Sequence, residues 1–266
     1  MATTLSISTA ETIGLDEFRK RVLQKVDPDD PDTLLNAGHD MVALANNDKL
    51  LLEHIRSDLA NWKADQISMY TPQCCLLDSF GRFKVRINLW KSSGMTEAEM
   101  DFFSYTSYHN HDFSFLTTNY YGPGYRTRIY QASAPWRSVM PGSAVEMDFL
   151  EEAILSPGKV MYYRKDIDVH SQIPPQQDSA SINLLLDNDD DATGSQFYFD
   201  AAEKRIIGRV ENNLSKRLTL LDFGYALAGA QSLEALHAIA ENHPCGITRG
   251  KAAEIIEALQ AKGREA

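Results

Sequence analysis

Between about residues 74 and 210 the hydrophobic period of the chain is two, while on either side it is close to 3.6. No other feature narrows the possible folds as far. Phe83, Val85, Ile87 and Leu89 alternate with Lys84, Arg86, Asn88 and Trp90, the mark of a strand whose two faces differ. Further strand-like stretches run over Cys74 to Leu77, Tyr105 to Thr118, Tyr125 to Ser133, Ala144 to Glu152, Lys159 to Tyr163, Ser179 to Leu186, Gln196 to Phe199 and Arg205 to Val210. Gly81, Gly122-Pro123-Gly124, Pro141-Gly142 and Pro157-Gly158 supply turns between them. So many short strands in succession predict a mainly β sandwich or barrel.

The flanks read differently. Residues 1 to 12 are small and polar and are expected to be loose and flexible. A helical segment over 13 to 66 is broken at Pro28-Asp29-Asp30-Pro31, with Asp30 or Asp32 as N-cap, and Leu51, Ile55, Leu59 and Trp62 share one helix face. Thr96 with Glu99 forms a capping box for a short helix inside the β region. After Asn213 come three amphipathic stripes: Leu218, Leu221 and Tyr225; Leu233, Leu236 and Ile239; Ala253, Ile256 and Leu259. The organisation expected is a β domain over 67 to 212, with the N-terminal helices and a C-terminal helical segment over 213 to 266 packed on it.

Composition excludes several functions. A formal net charge of −11 disfavours unspecific binding to nucleic acid or to an anionic membrane. No run of about 18 apolar residues is present to span a bilayer. The opening MATTLSISTAETIGLDEF lacks the basic start and apolar stretch of a secretory signal. Cys74, Cys75 and Cys245 make no disulfide framework and read as buried free thiols. A cytoplasmic protein is the expectation. A homo-oligomer is compatible with all of this.

Three of the seven histidines stand out. His109 and His111 are two apart in the strand-like run SYHNHDFSF, so both imidazoles project from one face. His170, in DIDVH at the edge of a later strand, can be brought beside them by a barrel. Three imidazole nitrogens with open positions suit iron, zinc, copper or nickel. A His-x-His pair alone is weak evidence of metal and reads more readily as a satisfied polar pair on a sheet. The remaining histidines, His39, His54, His237 and His243, lie in helices or at their ends without spacing partners. The acidic run from Asp187 to Asp191 has Ala192 and Tyr198 where a calcium-binding EF-hand needs Gly and Glu, and reads as a solvated turn.

At these residues the sequence resembles the cupins, and within them the cysteine dioxygenase-type thiol dioxygenases, over about residues 70 to 186. YTPQCCLLDSFGRFKVRINLW is similar to the family's opening strands, SYHNHDFSF to its first motif, and PGKVMYYRKDIDVHSQIPPQQDSASINLLL to its second. The resemblance implies a cupin-type β-barrel (jelly roll) in which His109, His111 and His170 ligate iron(II). Many cupins add a glutamate four or five residues after the second histidine. Phe115 and Leu116 occupy those positions, which favours a site of three histidines.

Departures from the family bear on the substrate. The family's carboxylate-gripping arginine follows a Tyr-Thr pair, but Tyr70-Thr71 is followed by Pro72 and Gln73. Its Ser-His-Tyr relay meets Ser181, Asn183 and Leu185, and GMTEAEMDFFSYTS is inserted before the histidine pair. Free cysteine is therefore not the expected substrate.

Candidate residues for holding a substrate are Arg86, if its face lines the lumen rather than solvent, and then Arg126 with Arg128. Asp168 reads as a turn residue or as an orienting partner of His170. The aromatics Phe113, Phe115, Tyr120, Tyr121, Tyr125, Tyr130, Tyr162 and Tyr163 read as core filling or as an apolar pocket. The function expected is a non-heme iron(II) dioxygenase acting on a small organic substrate and O2, with Arg86 in a catalytic, anion-anchoring role. A non-redox metal enzyme (isomerase, lyase or hydrolase) and a ligand-binding module are the alternatives.

Overall fold

A computed structural model describes residues 3–60, 69–71, 73–96, 100, 105–134, 139–187, 196–210, 218–222, 230–243 and 246–265. The chain is mainly β, a jelly-roll-like pair of antiparallel sheets with helices, and the sheets do not join into one closed barrel. It divides into two compact units, Met1–Ser133 with Glu146–Asn188, and Ala134–Val145 with Asp189–Ala266.

The first unit carries α1 (Leu15–Lys25), a 3-10 turn (Pro31–Ala37), α2 (Gly38–Ala45) and α3 (Leu50–Ala60). Its strands are β1 (Thr3–Ser6), β2 (Met69–Thr71), β3 (Cys74–Phe80), β4 (Phe83–Trp90), β5 (Tyr108–His109), β6 (Ser114–Tyr121), β7 (Arg126–Ser133), β8 (Glu146–Ile154), β9 (Lys159–Tyr163), β10 (Asp168–Ile173) and β11 (Ser179–Leu186). One sheet has the order β1-β9-β6-β11-β4-β3-β2; the other runs β5-β10-β7-β8 within this unit. From β5 to β11 the chain passes repeatedly from one sheet to the other, so each sheet has a face turned to a core they share.

Departures from the sequence reading lie in this unit, among them the strand Asp168–Ile173, which none of the expected stretches covered. Thr3–Ser6, expected to be loose, pairs with β9 from Thr3↔Tyr162 to Ser6↔Lys159. The long strand expected over Tyr105 to Thr118 breaks, since β5 ends at His109 and β6 begins only at Ser114.

The helices cover one face of the seven-stranded sheet. Phe18, Val22, Leu34, Met41 and Leu44 share a buried cluster with Phe83, Val85, Ile87, Leu116, Ile182, Leu184 and Leu186. Burying each large side chain contributes about 1.5–3 kcal/mol, which fixes which face of β4 is covered. Asp30 caps the 3-10 turn by accepting from Asp32 N at 3.2 Å. Arg19 of α1 grips Asp78 of β3 with a fork of bonds of 2.8 to 3.0 Å. Asp40, fully buried at the start of α2, accepts from Arg21 and Lys25. In α3, Leu51 is half-buried but Ile55 is 42 % exposed, so the expected apolar face is only partly used. The Leu59 side chain and Trp62 lie outside the described residues.

Sharp turns return the strands. Gly124, at φ +83°, has Leu155 O where a Cβ would stand, 1.9 Å away, so only glycine fits this approach of two backbones. Of the short helix expected after Thr96, Met100 N reaches Thr96 O at 3.0 Å, and Glu99 lies outside the described residues.

The second unit contains the hairpin β12 (Phe197–Asp200) and β13 (Arg205–Arg209) and the helices α4 (Ala230–Asn242) and α5 (Gly246–Glu265). Leu221, Leu236, Ala252, Ile255 and Ile256 form its helical core, with Ile239 and Leu259 against it. Ala253, expected on the apolar stripe, is exposed, and Tyr225 lies outside the described residues. No described helix is long and apolar enough to cross a membrane.

Candidate metal centre

The second core of the first unit lies between the inner faces of its sheets. It gathers Trp90, Phe115, Met161, Tyr163 and Leu185 from one sheet and Ile129 from the other, with Tyr105 and Tyr125. Because β4 turns Phe83, Val85 and Ile87 to the helices, alternation turns Lys84, Arg86, Asn88 and Trp90 the other way. In register, Arg86 stands beside Asn183 of β11, which in turn stands beside Thr117 of β6; Asn88 stands beside Ser181. A band of polar side chains therefore crosses this inner face. Trp90 Nε1 donates to Ser181 Oγ at 3.0 Å, and the Cys74 thiol donates to Asn88 Oδ1 at 3.0 Å. Cys74 and Cys75 are buried free thiols; Cys245 lies outside the described residues.

His109, His111 and His170 meet at this core. One nitrogen from each lies within 4.8 Å of the others, and among the described residues they are the only such group of three or more metal-ligating side chains. β5 lies beside β10, with His109 directly opposite His170. His111 follows the end of β5, where its carbonyl accepts from Asp166 N at 2.8 Å. His111 thus lies just past the paired strand, two residues on from His109, with its backbone tied to Asp166.

Each ring is held. His109 Nδ1 lies 3.0 Å from Ser107 O, which assigns its proton to Nδ1 and makes Nε2 the nitrogen that carries the lone pair. His111 stacks on Phe113 (4.8 Å, 29°) and meets Phe115 edge-on (5.1 Å). Tyr163 lies 4.4 Å from the His170 ring and stacks on Phe115. His170 Nδ1 lies 3.3 Å from Gln172 Nε2.

The donor set is one that transition metals take, and the nitrogens, within 4.8 Å of one another, must draw in for all three to reach one ion, since two ligands at about 2.1 Å stand no more than about 4.2 Å apart. His111 Nε2 and His170 Nε2 are 3.1 Å apart. Two nitrogens held at about 2.1 Å from one ion have that separation when they subtend an angle of about 95°. Burial lowers the imidazole pKa of His109, and that of His170 far more, with the neighbouring histidines and Arg86 acting in the same direction on His170. Both rings are thereby kept neutral, the form that ligates. Burial also raises the Tyr125 and Tyr163 hydroxyls, so these phenols stay protonated beside the site.

The other sequence candidates separate cleanly. The guanidinium of Arg86 lies over the Phe113 ring, 5.7 Å from its centroid, and is close enough to bear on His109 and His170. Arg126 and Arg128 are exposed on the outer face of β7 and share Glu152, at 3.0 and 2.7 Å. Buried Thr127 and Ile129 hold the inner face there, so these two arginines do not reach the core. Asp168 is buried within β10, not in a turn, and its carboxylate accepts from Arg164 N, Nε and Nη2. It is spent on Arg164; the described neighbour of His170 Nδ1 is Gln172.

The aromatics also divide. Phe113, Phe115 and Tyr163 touch the histidines, and Tyr125 packs on Trp90 at 4.2 Å. Tyr120 and Tyr162 turn to the helical side, bonding Asn47 O and Asp32. Tyr121 is 65 % exposed, and Tyr130 meets Tyr108 and Phe149 on the outer face. Gln172 went unrecognised in the sequence, although it stands two residues after His170 on a strand and so shares its face.

No family model matches the chain, and no curated protein matches it. Solved structures of cupin-fold proteins align with parts of it. A DMSP lyase aligns at 13 % identity over 42 % of this chain and 46 % of its own, with a TM-score of 0.27. A salicylate 1,2-dioxygenase from Pseudoaminobacter salicylatoxidans aligns at 8 % identity over 52 % and 33 %, with a TM-score of 0.29. A cupin domain from Bordetella pertussis aligns at 11 % identity over 45 % and 99 %, with a TM-score of 0.25. The aligned stretches span less than half of the lyase chain and one third of the dioxygenase chain. Likeness at this level carries no activity across.

Proposed function

We propose that the chain is a metal-dependent oxygenase of cupin type, a non-heme iron(II) dioxygenase acting on a small organic substrate other than free cysteine. The observation that carries this reading is the meeting of three imidazoles, two of them buried and kept neutral by burial, with no carboxylate in the described group. His109, His111 and His170 would hold the ion through nitrogen alone, leaving its positive charge undiminished and part of its coordination sphere open. Iron(II) bound there would supply the redox centre at which an organic substrate and O2 react.

The protein's own contributions are positional. Ser107 O holds the His109 ring by its Nδ1 proton, and Phe113, Phe115 and Tyr163 pack against the other two histidines. Arg86 is the residue we assign to an anionic group of the substrate, since its guanidinium lies beside the histidines on the inner face. Its planar fork suits a carboxylate better than an ammonium would.

The test is metal analysis of protein purified without a histidine tag, followed by oxygen uptake against a panel of small organic acids and thiols. Stoichiometric iron with uptake triggered by one substrate supports the proposal. Zinc with turnover and no uptake would place the chain among non-redox metal enzymes instead.

A further inference from the structure

We propose that Gln172 is a positioning residue that sets which nitrogen of His170 carries the proton, and that its amide turns over when metal enters; this rests on the metal reading above. Gln172 and His170 stand two apart on β10, on the same face, and Gln172 is 4 % exposed. Its Nε2 lies 3.3 Å from His170 Nδ1. An amide nitrogen only donates, so Nδ1 accepts here and the ring proton sits on Nε2. That nitrogen faces His111 Nε2 at 3.1 Å, and the proton between them closes a histidine pair.

Metal cannot enter this arrangement unchanged. Each ligating nitrogen must present a lone pair to the ion, so the His170 proton has to leave Nε2 for Nδ1. A proton on Nδ1 then confronts the Gln172 amide and needs an acceptor. Gln172 carries one: its Oε1 is buried and without a hydrogen-bond partner. A half-turn about Cγ–Cδ exchanges the amide oxygen and nitrogen, and Nδ1–H then donates to Oε1 across the same 3.3 Å gap. No proton is gained or lost by the amide, and the ring proton only changes nitrogen through solvent. Glutamine is suited to the post because it donates in one setting and accepts in the other, whereas His109 is held in one tautomer by Ser107 O.

The experiment uses the full chain labelled with 15N-histidine, metal-free and with zinc alone, in the wild type, Gln172→Leu and Gln172→Glu. Nitrogen shifts read the tautomer of His170, and competition with a chromophoric chelator reads zinc affinity. In the wild type His170 should carry its proton on Nε2 without metal and on Nδ1 with zinc. Gln172→Glu, which only accepts, should place the proton on Nδ1 before zinc is added and should keep wild-type affinity or better it. Gln172→Leu should lose about 10- to 100-fold in affinity, the usual effect of removing such a partner. Wild-type affinity in a folded Gln172→Leu, or an Nε2 proton in metal-free Gln172→Glu, would overturn the inference while leaving the metal centre standing. If Gln172→Leu does not fold, the tautomer in Gln172→Glu decides. Wild-type protein that takes no zinc at the three histidines overturns the metal reading and this inference together.

Discussion

His109 stands directly opposite His170 across the β5–β10 pair, and their rings are 4.7 Å apart. Backbone pairing thus holds two of the three imidazoles together before any ion arrives. Replacing His109, His111 or His170 by Ala should remove most bound metal from purified protein while far-ultraviolet circular dichroism stays unchanged, because the sheets are held by their ladders and by apolar clusters of which these rings touch only the edge at Phe115 and Tyr163. Stoichiometric metal in all three variants, by elemental analysis, would refute the assignment.

The burial that keeps these rings neutral has a pH consequence. An ordinary imidazole titrates near 6.5. In His109 and His170 burial moves that point down, so the neutral, ligating form persists into more acidic solution. Metal should therefore be retained below the ordinary histidine pKa and released only as the pH falls through the lowered values. A zinc-release titration with a chelator that works in acid measures this. Release centred at 6.5 or higher would mean that the rings are not shielded.

How much of this could be read from the sequence depended on whether the information was local. Strand period and Gly-Pro turns placed Lys159–Tyr163 and Ser179–Leu186 at their observed bounds. The joining of His109, His111 and His170 followed from motif and spacing. What escaped is set by distant contacts. Thr3–Ser6 is a strand only because the edge of β9 accepts it. Alternation in β4 gave two faces, and only the docking of Phe18, Val22 and Met41 on Val85 and Ile87 decides that Arg86 looks inward. Gln172 carried no motif; only its distance from His170 Nδ1 singles it out.

The turn glycines provide a stability test. Gly124→Ala would thrust a Cβ into Leu155 O, and Gly81→Ala, at φ +55°, meets nothing within 4 Å. Gly81→Ala should cost only the left-handed penalty of about 1–2 kcal/mol. Gly124→Ala should cost clearly more, because the backbone of Leu155 must also yield. Urea unfolding midpoints compare the two, and equal losses would mean that the approach of Gly124 to Leu155 is not tight.

Free cysteine should be a poor substrate. Gln73 stands where the resembling family grips a carboxylate, with Pro72 outside the described residues, and the relay positions are Ser181, Asn183 and Leu185. In the structure Ser181 accepts from Trp90 Nε1, and Leu185 is packed in the inner core. Neither is arranged to move a proton at a thiol. Efficient conversion of cysteine to its sulfinic acid by iron-loaded protein, followed by mass spectrometry, would show that these replacements do not matter.

Arg86 gives the most demanding prediction. Its guanidinium lies over Phe113, which stacks on His111, so the cation is one ring removed from a candidate ligand. On the helix side of the same strand Val85 and Ile87 are fully buried, so alternation turns Arg86 to the inner face. Losing hydrogen bonds to a charged group costs about 1.5–3 kcal/mol, so Arg86→Ala should lower kcat/KM by roughly ten- to hundred-fold on the substrate that the oxygen-uptake panel identifies. Arg86→Lys should recover little, since a single ammonium cannot replace two parallel N–H donors. Metal content should be unaltered in both variants, which separates an anchor for substrate from a support for the histidines. Wild-type kcat/KM in Arg86→Ala would remove the anchor from Arg86 and leave the polar band of Asn88, Thr117 and Asn183 on the same inner face to supply it.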